Sequence, residues 1–347
     1  MKAESIHTAD VAAATIAGRV LAHDIQATLG ADRIRLRKGH LLSAEDLPAL
    51  RAADRTVHLI ALEAGDVHEE TAARRLARAV AGTGIQIGEP HESQITLRAR
   101  VPGLLAVDVE RLLEINSIPD MSVWTLFDAQ ITRDQQAVAG VKVTPLVTHE
   151  ASLIQAERIA RGGSGILRVQ PFIHRRVGVV VREALLPAAG ERFREAITTK
   201  VAWFGSEIIS IVHPMDRVED IMDAVCHLIA ANVDMILCAG VTSTDPLDVT
   251  VQALDRLGVR WEKRGVPAHP GSTYWLAYLG ATPILGMASC GMFSRATVLD
   301  LILPRFFAGE DVTARTLAAL GHGGLLNKGM AFRFPDYAGP EIAAADE

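Results

Sequence analysis

Cysteine is scarce in this chain of 347 residues: Cys226, Cys238 and Cys290 are the only three, and none sits in a CxxC pair. An odd, sparse set builds no disulfide framework and points to a reducing compartment. Aromatic residues make up only 5%, too few for binding by base stacking, and the net charge of −6 offers no basic field for a phosphodiester backbone. Nucleic acid is therefore not an expected partner. No apolar run approaches the length of a membrane span, and the opening "MKAESIHTADVAAATIAGRVLAHDI" has no apolar signal core. The expectation is a cytoplasmic protein with no membrane partner. Several catalytic fingerprints are missing too. There is no GxGxxG after a strand, no GxxxxGK[ST], no GxSxG elbow, and no HExxH among the twelve histidines.

What remains is an ordinary globular composition, 49% hydrophobic and 22% charged, in a chain long enough for two or three cores. Pattern separates it into four parts: 1–83, 84–165, 166–332 and a tail, 333–347. Residues from about 10 to 80 look helical and mixed. "SAEDLPALRAA" opens on Ser43 as an N-cap with acids behind it, and "HEETAARRLARAVAGTG" is an amphipathic helix closed by Gly82 and Gly84. The second part is β-rich, with alternating runs such as "SQITLRARV" and "AVAGVKVTPLV", which fit a compact barrel or sandwich. Within it "GVKV" is similar to the lysine hairpin of biotinyl and lipoyl carriers. The flanking methionines are absent, so Lys142 reads as an outward strand residue. A helix, "HEASLIQAERIA", then leads to the glycine-rich joint "RGGSG", the domain boundary.

Past the joint the rhythm becomes strand and helix in turn. "RRVGVVVREA", "SEIISIVHPM" and "DMILCAG" suit buried strands; "ERFREAITTKVAWFG", "DRVEDIMDAVCHLIAAN" and "PLDVTVQALDRLG" suit helices. Asp216 and Glu219 read as a capping box, and Cys226 as a core residue of its helix rather than a metal ligand. Repeated βα units imply an α/β fold with a mostly parallel sheet and helices on both faces.

Ligands of such sheets bind beyond the carboxyl ends of the strands. There the chain reads "CAGVTSTDPLD". Gly240 allows close approach of a ligand to the backbone; Thr242, Ser243 and Thr244 supply hydroxyls; a helix N-terminus follows. A small oxyanion fits this junction. Asp245 before Pro246 reads as the N-cap and Asp248 as a first-turn residue. Both acids could simply cap a helix. Alternatively Asp248 binds a metal ion or accepts two N–H bonds from a polar ring beside the phosphate.

These residues carry a resemblance. The segment from about 176 to 332 resembles the molybdopterin-binding domain of molybdenum-cofactor biosynthesis proteins, the family of molybdopterin molybdotransferases and the gephyrin group. Gly240, Thr242, Ser243 and Asp248 correspond to its strand-end loop, with Ala239 where a first glycine is usual. "GVPAHPGSTYWLAYLG" places His269, Pro270, Gly271 and Ser272 at its second motif. "ILGMASCGMFSRATVLDLIL" stands at its third, keeping Gly286 and Gly291 but carrying Ala288, Ser289 and Cys290 in place of Pro-Gly-Asn. "AGRVLAHDI" and "RKGHLLSAEDLPALRA" resemble an opening helix and a later segment of the molybdotransferases; their "SAMDGYA"-like insertion and C-terminal β domain are missing here.

The resemblance implies a three-layer α/β sandwich, preceded by a smaller mixed α+β region. It implies molybdopterin as ligand, with Gly240, Thr242, Ser243, Thr244, Asp245, Pro270, Gly271, Ser272, Gly286 and Ser289 around it. Asp248 would be catalytic or a magnesium ligand, with molybdate as a further partner and self-association expected. Two functions follow, molybdate insertion or a non-catalytic carrier or sensor of the cofactor. A third is a binder of another phosphorylated molecule such as a nucleotide, because fold does not fix ligand.

Overall fold

The structure is a computed structural model that describes residues 1–91, 93–161, 165–182, 186–241, 244–287, 291 and 296–337. The chain divides into two compact units. The first takes in Met1–Val101, Leu105–Asp128 and Thr132–Val169; the second takes in the short segments 102–104 and 129–131 and the chain from Gln170 onward. Among the described residues no helix is long and apolar enough to cross a membrane.

The first unit holds two separate hydrophobic cores. Its opening part is more strand than helix, which corrects the helical reading of residues 10 to 80. Lys2–His7, Thr56–Ala61 and Arg19–Leu21 form an antiparallel sheet with Thr56–Ala61 in the middle. Thus "AGRVLAHDI" contains the strand Arg19–Leu21 rather than a helix; the only helical turn nearby is Ala13–Ile16, and Gly18 leaves it at φ +75. Ile25–Leu29 and Asp32–Leu36 make a hairpin closed by the two-residue loop Gly30-Ala31, with Gly30 at φ +64. Positive φ at the first loop residue matches the right-handed twist of the flanking strands, and glycine adopts it without strain. Ile16, Leu21, Ile25, Leu42, Leu50, Val57 and Leu59 close this core. The capping box expected at Ser43 is present, completed by Asp46.

The second core of that unit belongs to a four-stranded antiparallel sheet. Its order is Met121–Thr125, Ala137–Val143, Gln94–Ala99, Ile85–His91, and Glu69–Val80 and Glu150–Ala160 supply helical partners. Lys142 lies within a strand, paired with Ser122 on one side and Gln94 on the other, as a strand residue should.

The second unit is built on a six-stranded sheet in the order Glu207–Val212, Arg176–Val181, Met235–Ala239, Thr282–Met287, Trp275–Leu279, Arg260–Arg264. The first four strands run parallel, Trp275–Leu279 runs against them, and Arg260–Arg264, antiparallel to Trp275–Leu279, returns to the common direction. All five residues of Met235–Ala239 are buried, as the uninterrupted apolar run requires of a central strand. Alternate residues face opposite cores. Met235, Leu237 and Ala239 pack with Phe193, Ile197 and Val201 of the helix Pro187–Trp203 and with Ile302 and Phe306 of Val298–Phe307. Ile236 and Cys238 pack with Val225 and Leu228 of Val218–Ala230 and Leu254 of Val249–Arg256. Helices therefore cover both faces of a mostly parallel sheet.

Two local expectations are corrected. The N-cap of Val218–Ala230 is Arg217, which makes no side-chain cap; Asp216 is drawn instead to Arg182. Cys226 lies on the solvent side of that helix, while Ile221, Ala224, Val225 and Leu228 take the buried positions. Its helical stripe is filled without it.

Candidate ligand-binding site

Parallel strands deliver their carboxyl ends, and the loops after them, to one edge of the sheet. Arg182 follows Arg176–Val181 there, Asp216 follows Glu207–Val212, and Gly240 follows Met235–Ala239. Trp275 opens its antiparallel strand opposite Gly286, near the end of Thr282–Met287, so the turn 269–272 just before it arrives at the same edge.

Arg182 organises this edge. Its guanidinium meets Asp248 at 2.8 Å and Asp216 at 3.1 Å, and donates to the Gly240 carbonyl at 3.3 Å. Three successive strand-end segments are tied by one planar cation, which suits a forked donor. The Asp248 side chain is 6% exposed. Its burial is bearable because both oxygens are engaged: one takes Arg182, the other accepts from the Thr250 amide at 2.8 Å. Cys238 lies beneath; burial first, and the Asp248 charge second, push its thiol up to about 12.

The helix begins later than its sequence suggests. Asp248, not Asp245, is the N-cap of Val249–Arg256. Asp245 accepts from the Leu247 amide, and its carbonyl accepts from the Asp248 amide, forming a turn around Pro246 that delays the first helical residue. An Asx-turn thus won over proline's preference for the first helical position. Gly240 sits at φ +78, a conformation that favours glycine, and leaves its backbone bare. Thr244 is exposed. Thr242, Ser243 and Ser289 lie outside the described residues, as do Ala288 and Cys290.

The remaining positions divide. His269–Pro270 is a cis peptide, and Gly271 at φ +113 passes so close to the next helix that a Cβ would stand 2.9 Å from Val298. The Pro270 carbonyl accepts from the Val298 amide, so Pro270, Gly271 and the exposed Ser272 lie beside the start of Val298–Phe307. Gly286 is inside its strand, where a Cβ would collide with the Trp275 ring; its missing side chain makes room for the indole.

Two features escaped the sequence reading. Arg182 belongs to no motif; the only hint is a charged residue ending the run "VGVVVR". The other is a buried network under the start of Val298–Phe307. Lys200 pairs with Asp300 at 2.5 Å, Tyr337 donates to Asp300 at 2.9 Å, and the second Asp300 oxygen accepts from the Thr297 amide and hydroxyl. Burial, then the Asp300 charge, hold the Tyr337 hydroxyl well above its ordinary range.

In open α/β sheets the carboxyl ends of the strands are the edge at which ligands bind. Residues 181–308 match the model of a family described as the probable molybdopterin binding domain. Residues 10–55 match a domain of unknown function. No curated protein matches the chain. Among solved structures it is similar to a putative molybdenum cofactor biosynthesis protein from Corynebacterium diphtheriae, with 15% identity over 40% of this chain and 100% of that one, TM-score 0.28. The molybdopterin biosynthesis protein MoeA from Pyrococcus horikosii aligns with 91% of this chain and 75% of its own, at 11% identity and TM-score 0.32. The molybdopterin biosynthesis enzyme MoaB from Thermus thermophilus shows 20% identity over 39% of this chain and 98% of its own, TM-score 0.29.

Proposed function

We propose that the second unit binds molybdopterin at the carboxyl edge of its sheet and serves molybdenum-cofactor biosynthesis. The family match over residues 181–308 carries this reading, because the matched segment contains both Arg182 and the loop from Gly240 to Asp248. The residues fit the ligand's polar parts. A guanidinium and a bare backbone at Gly240 stand together at the edge, and the fork of Arg182 can face a phosphate while Asp248 holds it in place. Thr242, Ser243, Thr244, Asp245, Pro270, Gly271, Ser272 and Ser289 complete the proposed site. The bound pterin would supply the dithiolene that receives molybdenum.

Magnesium fits less well. Both Asp248 oxygens already have partners, and among the described residues no three His, Cys, Asp or Glu side chains gather as a cation site. That observation favours a second reading, in which the chain carries and hands over the cofactor rather than inserting molybdate. Asp248 then acts as a positioning residue for Arg182.

Titration of the full chain with molybdopterin and with nucleotides tests the proposal. Molybdopterin is expected to bind, and Arg182→Ala to weaken it. Nucleotide binding without molybdopterin binding would overturn the reading. Formation of active cofactor dependent on added molybdate would identify insertion; binding without it would identify a carrier.

A further inference from the structure

The turn 269–272 brings Pro270, Gly271 and Ser272 to the sheet edge, and a segment beyond the family match, which ends at residue 308, holds it there. The hold has two points. The first is direct: the His269 amide donates to the Gly324 carbonyl at 2.8 Å, and the His269 carbonyl accepts from the Leu326 amide at 2.8 Å. Gly324 fits there only without a side chain, since a Cβ would stand 2.5 Å from the Pro267 carbonyl oxygen. The Arg333 guanidinium fastens the same stretch by donating to the Gly323 carbonyl at 2.6 Å.

The second point runs through the buried network. Tyr337 donates to the Asp300 oxygen that also takes Lys200, and the other oxygen accepts from the Thr297 amide and hydroxyl, each at 2.9 Å. Thr297 precedes Val298, whose amide donates to the Pro270 carbonyl at 3.1 Å, and Gly271 lies so close to Val298 that no Cβ would fit. An unbroken series of contacts thus joins the Tyr337 hydroxyl to the turn. Tyr337 is itself fixed: the Trp203 indole donates to the Asp336 carbonyl at 2.9 Å and packs edge-on against the phenol ring. An ion pair taken wholly out of water gains little stability over apolar side chains of the same volume. Lys200, Asp300 and Thr297 are all buried, so strength alone does not account for the network.

We propose that Tyr337, Asp300 and Lys200 are positioning residues of the ligand edge, which together with residues 323–326 set the shape of the turn 270–272. The Tyr337 hydroxyl and the Lys200 ammonium fix the rotation of the Asp300 carboxylate. That fixes its bonds to Thr297, and with them the place at which Val298 meets Pro270 and Gly271. Without the hydroxyl the carboxylate is held on that side by Lys200 alone, and the turn loosens while the core around it stays packed. The consequence for affinity rests on the molybdopterin reading of this edge; the link from Tyr337 to the turn does not.

Two mild variants separate positioning from packing. Tyr337→Phe removes only the hydroxyl, whereas Ile197→Val trims the same core at a residue outside the network. Titration of the full chain with molybdopterin should show affinity weakened roughly threefold or more in Tyr337→Phe and unchanged in Ile197→Val. Hydrogen exchange of the amides of residues 296–300, followed by mass spectrometry without ligand, should quicken roughly threefold or more in Tyr337→Phe alone. Equal effects of the two variants on either measurement, or wild-type values in Tyr337→Phe, would overturn the proposal. If the wild-type chain binds no molybdopterin, the reading of the edge fails and exchange alone decides the link. Quickening confined to Tyr337→Phe then sustains it, and its absence overturns it.

Discussion

Arg182 and Asp248 meet at 2.8 Å across the strand ends of the second unit, although they stand far apart in the chain. The pair joins the loop after one strand to the helix that follows its neighbour. Asp248 thereby holds two posts, N-cap of Val249–Arg256 and counter-ion of the guanidinium.

Those posts separate by substitution. Asp248→Asn keeps an oxygen for the Thr250 amide but removes the charge facing Arg182; Asp248→Ala removes both. Denaturant unfolding should show Ala less stable than Asn by about 1 kcal/mol, the worth of an N-cap. Molybdopterin affinity should fall in both.

Lys200 and Asp300 form a pair with side chains 4% and 0% exposed. Lys200→Met leaves a buried carboxylate without its cation and should destabilise the second unit by about 3–5 kcal/mol. Tyr337→Phe removes one hydrogen bond from the same carboxylate and should cost about 1 kcal/mol. Equilibrium unfolding followed by tryptophan fluorescence reads both, since Trp203 packs edge-on against Tyr337.

In the first unit Arg75 clasps Glu157 through two hydrogen bonds, at 2.8 and 3.2 Å, and also holds Glu150. The bond from Arg75 keeps the Glu157 carboxyl below its ordinary range despite partial burial. A carboxyl with a depressed native pKa stabilises fully above its unfolded value, about 4.3, and loses that contribution as pH falls through the lower native one. The melting temperature of the wild type should therefore drop more steeply below about pH 4.3 than that of Glu157→Gln.

The thiols should react unequally. Cys226 is exposed, whereas burial holds Cys238 up at about 12. Alkylation of the folded protein at about pH 8, read by peptide mass mapping, should mark Cys226 and spare Cys238 until denaturant is added.

Much of the second unit was legible because its strands are continuous apolar runs and its helices are amphipathic; "DMILCAG" could hardly be anything but a buried strand. The opening of the chain misled for the opposite reason. "QATLGADRIRL" is rich in charge, and its alternation and Gly30-Ala31 loop carry little weight beside nearby helical signals. At Asp245 a strong local rule, proline at the first helical position, lost to a side chain that accepts from its own backbone. Arg182 lay beyond reach because its role depends on register between neighbouring strands.

The two borders of the large sheet differ in character. Arg260–Arg264 reads "RWEKR" and ends one side with charge, whereas Glu207–Val212 reads "EIISIV" and ends the other with aliphatic residues. Lengthening by a further strand is discouraged at the first border and permitted at the second. Identical chains joined through that single receptive side would meet as a twofold pair and stop, so the asymmetry guards against fibre growth.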